Sequence, residues 1–145
     1  EITINHLNKI IVQAKKLPFT QKEEVAPAYG LSRIEGRKLA KMYGTNVDKV
    51  FQNAQILSTI PSTLPLSLIA QIYYAVHEEM AYSPVDFLVR RTGMLYFDIQ
   101  HFKEYKEEVV KVMEQLLHYS KEETTAFNKQ LEILYTEATL KESRD

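Results

Sequence analysis

Apolar residues recur along this chain at intervals of three and four, and no stretch sustains the alternation that a half-buried strand requires. That period lines one face of an α-helix. In NHLNKIIVQAKKL the stripe is Leu7, Ile10, Ile11 and Ala14, with Asn5 placed to cap its start and Pro18 just past its end. Residues 18–31, with Pro18, Pro27 and Gly30, read as a connector. Ser32 followed by Glu35 has the spacing of a capping box, and Gly44 fits the left-handed residue that ends a helix. Asn46 is then placed to cap a helix carrying Val47, Val50, Phe51 and Ala54. STIPSTLP is a loop. The most apolar helix follows, with Ile69, Ile72, Tyr73, Val76 and Met80 as its stripe. Ser83, Pro84 and Asp86 form the next start signal, and TGMLYF reads as a turn or short irregular segment. A long helix from Asp98 to Tyr119 presents Phe102, Tyr105, Val109, Val112, Met113 and Leu116. Ser120 and Glu123 open the last helix, with Phe127, Leu131, Leu134, Tyr135 and Ala138 inward and a polar tail, KESRD, that is expected to fray. The expectation is one all-α, bundle-like domain over 1–145, with six or seven helices and no sheet.

Composition narrows the chemistry. With 145 residues a single core can form without staples, and the absence of cysteine removes disulfides, thiolate metal sites and a cysteine nucleophile. A formal net charge of -1 gives no bulk attraction to nucleic acid, so no nucleic-acid partner is expected. Basic residues outnumber acidic ones before residue 73, and the reverse holds after it. No apolar run reaches the roughly 20 residues of a membrane-spanning helix, and EITINHLNKI shows no export signal. The chain opens on Glu1 and not Met, so an excised or processed segment is expected. Gly30, Gly36, Gly44 and Gly93 are scattered, which leaves no phosphate-cradling cluster and no cofactor-binding residue. His6, His77, His101 and His118 do not gather at one ligand spacing; Glu114–His118 and His101–Glu104 are the best-spaced pairs, and no metal site is expected from them. No nucleophile–base pattern stands out, so no catalytic residue is assigned.

One feature resists a plain helical reading. In MAYSPVDFLVRRTGMLYFD, Arg90 and Arg91 adjoin inside an apolar run. At 100° per residue both cannot face solvent if Phe87, Leu88 and Val89 are buried. Asp86 is one turn before Arg90, and Glu78 and Glu79 precede the segment, so the arginines are expected to pair with Asp86 and Glu79 in a buried or half-buried charge cluster, with Thr92-Gly93 ending the helix. Breaking such a pair, if buried, costs roughly 3–5 kcal/mol. A helix-to-helix clamp and a contact to an anion or a partner domain both fit. Tyr43, Tyr73, Tyr74 and Tyr96 lie near apolar stripes and are expected to be buried, hydrogen-bonded phenols.

RKLAKMYGTNVDKVF and IYYAVHEEMAYSPVDFLVRRTGMLYFD together resemble the C-terminal domain of FAD-dependent glycerol-3-phosphate dehydrogenases and α-glycerophosphate oxidases. Tyr43-Gly44-Thr45-Asn46 and the ordered run Glu79-Met80, Asp86-Phe87-Leu88, Arg90-Arg91-Thr92 carry the resemblance, which covers about residues 30–119. It implies an accessory domain that packs on an FAD- and substrate-binding part lying outside this chain. That part oxidises sn-glycerol 3-phosphate to dihydroxyacetone phosphate, in glycerol metabolism. It also implies a cytoplasmic protein whose full-length form associates peripherally with the membrane. Glu79, Asp86, Arg90, Arg91 and Thr92 become candidates for a structural or interdomain clamp. A free-standing helical interaction module of shared ancestry, and an arginine pair that takes phosphate, are the other readings.

Overall fold

The computed structural model describes residue 4 and residues 19–143. The stripe Leu7, Ile10, Ile11 and Ala14, with its cap Asn5 and with Pro18, lies outside the described residues, as does the end of the KESRD tail. Among the described residues the protein is helical, with no strand, as the apolar period requires. The α-helices are α1 (Arg33–Tyr43), α2 (Val47–Leu57), α3 (Leu66–Glu78), α4 (Met94–Phe97), α5 (Ile99–Leu117) and α6 (Lys121–Ser143). Contacts divide the chain into two compact units, one ending at Tyr74 in α3 and one made of Ser62–Leu64 and everything from Ala75 onward.

The first unit corrects the reading of residues 18–31 as a connector. Phe19–Tyr29 is a 3-10 helix, an unusually long one, although it has no apolar stripe and contains Pro27. Tertiary contacts hold it. Ala26 and Tyr29 are buried with Leu39, Val47, Val50, Phe51 and Ala54, and Tyr29 stacks on Phe51 at 5.5 Å. Gly36 on α1 allows the closest approach: a Cβ there would fall 2.4 Å from the Cβ of Ala26. Lys22, itself buried, donates to Asp48 Oδ2 at 2.8 Å. On the surface Arg37 Nε pairs with Glu23 at 2.5 Å, and Arg33 pairs with Glu24. The Ser32–Glu35 capping box forms as the spacing predicts, and Gly44 ends α1 with φ 56°. Asn46 makes no side-chain cap, because the turn into α2 is a short 3-10 segment that keeps Asn46 in helical conformation.

In the second unit α5 and α6 pack as a helical hairpin. His118 turns the chain in left-handed conformation, and Ser120 and Glu123 cap α6 reciprocally. Phe102, Val109, Val112, Met113 and Leu131 are buried as expected, whereas Phe127, Leu134, Tyr135 and Ala138 are only half-buried. Lys106 is buried along its stem and reaches Glu132 at 2.9 Å across the hairpin. Two departures matter for the site. Helix α3 stops at Glu78, so Met80 leaves the predicted stripe for solvent. TGMLYF is not irregular but contains the short helix α4, which buries Leu95 and exposes Tyr96.

Candidate functional site

Asp86 organises the segment between α3 and α4. Its N–H donates to Ser83 Oγ at 3.1 Å, while its Oδ2 accepts from the N–H groups of Ser83 (3.2 Å) and Tyr82 (3.4 Å). This is the start signal read from Ser83 and Asp86, built as a reciprocal cap. Its other oxygen accepts from Arg90 Nη1 at 2.8 Å. Partial burial pushes the Asp86 carboxyl up, but the hydrogen bonds from Ser83 and Tyr82 and the Arg90 charge outweigh it and hold the group below the usual carboxylate range.

Asp86–Arg91 is a π-helical turn, not the α-helix that the 100° argument assumed. The Thr92 N–H closes it onto the Phe87 carbonyl at 2.9 Å. Thr92 Oγ1 donates to the Leu88 carbonyl at 2.7 Å and accepts from the Met94 N–H at 3.1 Å, so one hydroxyl ends this turn and starts α4. Gly93 follows at φ 65°, as the end signal predicts. A Cβ on Gly93 would fall 2.8 Å from the Phe97 ring.

The two arginines take different partners. Arg91 reaches back to Glu79, donating to Oε2 at 3.2 Å and to the main-chain carbonyl at 3.3 Å. The pairings are Arg90–Asp86, as the i, i+4 spacing suggested, and Arg91–Glu79, one of the two preceding carboxylates considered. Their burial is not. The Arg90 side chain is 73% exposed and that of Arg91 46%, while Phe87 and Leu88 take the buried positions. The buried-pair cost does not apply; exposed pairs contribute about 0–1 kcal/mol each. Glu79, Met80, Ala81, Asp86, Arg90 and Arg91 line an open cleft of about 250 Å³. Met80 stands on its rim with φ 56° and its side chain pointing to water. The turn there is set by the main chain, where Ala81 N–H bonds the Ala75 carbonyl at 2.9 Å.

Sequence reasoning missed a second cluster in this unit. Tyr82 donates its hydroxyl to Glu123 at 2.5 Å, Tyr119 donates to the Tyr82 carbonyl, and both rings meet Phe127. Burial drives the Tyr119 phenol above its ordinary range. Of the tyrosines singled out, Tyr74 is buried, Tyr43 and Tyr73 are half-buried, and Tyr96 is exposed. Among the described residues no group of three His, Asp or Glu side chains gathers as a metal site. His101 pairs with Asp98 and stacks on Tyr105, away from His77 and His118 in the chain.

The profile of the C-terminal domain of alpha-glycerophosphate oxidase matches residues 12–124, which includes all five clamp candidates. The chain belongs to this family. Its match extends beyond the 30–119 stretch on which the resemblance rested. Among similar proteins, the aerobic glycerol-3-phosphate dehydrogenases of Staphylococcus epidermidis and Staphylococcus haemolyticus are each 41% identical, over 81% and 82% of this chain. Each match spans only 21% of the relative. The crystal structure of the glycerol-3-phosphate dehydrogenase from Bacillus halodurans complexed with FAD superposes with a TM-score of 0.72 at 32% identity, covering 90% of this chain and 25% of that one. The family domain is thus a small part of each of these longer proteins.

Proposed function

We propose that this chain is the accessory C-terminal domain of an FAD-dependent enzyme that oxidises sn-glycerol 3-phosphate to dihydroxyacetone phosphate. It docks on the FAD-binding part of the same polypeptide and stabilises it, and takes no part in the chemistry itself. One observation carries the reading: 41% identity over 81% of this chain to a dehydrogenase of which the match is only 21%. The residues at hand do not fit FAD. Gly36 is a packing glycine against Ala26, Gly93 lies under Phe97, and Gly30 and Gly44 are turn residues, so none joins a pyrophosphate cradle. The cofactor belongs outside this chain on this reading. In the same reading Glu79, Asp86, Arg90, Arg91 and Thr92 act as a structural clamp that fixes the cleft. On the same reading the whole enzyme is cytoplasmic and peripheral to the membrane, which cell fractionation tests. No described helix is long and apolar enough to cross a bilayer.

The native size of the polypeptide tests the assignment. An antibody raised against the chain should detect a band several times larger than 16.9 kDa. That band should co-purify with flavin absorbance and with oxidation of glycerol 3-phosphate. A band near 16.9 kDa without flavin would mean a free-standing interaction module.

A further inference from the structure

The three most exposed large apolar side chains described in the second unit fall within one short span: Met80 at 88% exposure, Phe97 at 87% and Tyr96 at 71%. Met80 lines the cleft with Arg90 and Arg91, while Tyr96 and Phe97 lie on α4, which packs on the π-helical turn that carries those arginines. Soluble surfaces rarely gather such groups without a partner. Backbone irregularity concentrates here as well. Met80 holds a left-handed conformation that is costly for its side chain, and π turns are enriched at functional positions. Arg90 engages one guanidinium nitrogen on Asp86, and the fork has five N–H donors, which leaves geometry for a second carboxylate.

We infer that Met80, Tyr96 and Phe97, with the guanidinium of Arg90 that shares the cleft with Met80, form the surface that seats on the flavin-binding part of the same polypeptide, on an apolar patch flanked by a carboxylate. This rests on the accessory-domain reading above. Size selects the occupant. A stable complex between separate molecules buries roughly 1,200–2,000 Å², more than three side chains and a guanidinium supply. Within one chain the effective concentration is about millimolar, so a small patch suffices. In the relatives about four fifths of the protein lies outside the matched region, which provides the opposing surface.

A photo-cross-linking amino acid placed at position 97 of the full-length enzyme tests this. The expected product is an internal cross-link to the flavin-binding part, mapped by mass spectrometry, with no doubling of mass. The same probe at position 96 keeps the result readable if position 97 disturbs folding. Arg90→Glu should lower the yield roughly tenfold, the response to like charges facing each other; an unchanged yield removes the arginine from the surface. Cross-links to a second copy, or none from either position, overturn the proposal. Its failure is separable from that of the functional reading: a large flavin-bearing polypeptide without these cross-links leaves the function standing, whereas a native chain near 16.9 kDa removes both.

Discussion

Asp86 shows how much one side chain settles. It caps the π turn, anchors Arg90 and was identifiable from its spacing to Ser83 and Arg90. Its folded pKa is depressed, so its stabilisation is present above the unfolded value of about 4 and drains as pH falls through the folded value. Asp86→Asn should therefore cost about 1 kcal/mol near neutrality, the usual worth of a cap. The cost should shrink below about pH 4, as read by denaturant midpoints across pH 3–7. Gly93 makes a different demand. Gly93→Ala adds a Cβ at φ 65° and 2.8 Å from the Phe97 ring. We expect a loss of about 1–3 kcal/mol. Adding Phe97→Ala should restore only the steric share, since the backbone conformation stays unfavourable; full recovery in thermal melts would refute that division.

Among the elements, the 3-10 helix Phe19–Tyr29 was invisible to periodicity because nothing local specifies it. The buried Lys22–Asp48 pair holds it, and Asp48 Oδ1 is buried with no partner of its own. Lys22→Met should strand that carboxylate and cost about 3–5 kcal/mol, while Lys22→Met with Asp48→Asn should be far milder. Equilibrium unfolding of the two single variants and the double variant reads this coupling directly. By contrast the caps at Ser32 and Ser120 were legible, since each is a bond between residues three apart. The π turn lies between these cases. Its start and end signals were readable, but its pitch was not, because a widened turn depends on how Phe87 and Leu88 find the core.

At the scale of the whole molecule the contacts form two compact units, with Phe51 fully buried in one and Phe102 fully buried in the other. The sequence reading took them as one domain. Phe51→Ala and Phe102→Ala should each cost about 3–5 kcal/mol. Native-state hydrogen exchange should report each loss first in the helices of its own unit. A loss that appears equally in all helices would favour a single cooperative domain.

The sequence by itself determined the all-α class, most helix boundaries and caps, the Arg90–Asp86 pairing and the family resemblance. Each of these depends on neighbours within about one helical turn, or on the order of residues along the chain. Tertiary structure alone decided that residues 19–29 are ordered, that the arginines face water and that Met80, Tyr96 and Phe97 are exposed. Burial is a property of what packs on top of a residue. A run such as DFLVRRTGMLYF looks equally apolar in either case, and only the packed helices choose which of its side chains the core has room to take.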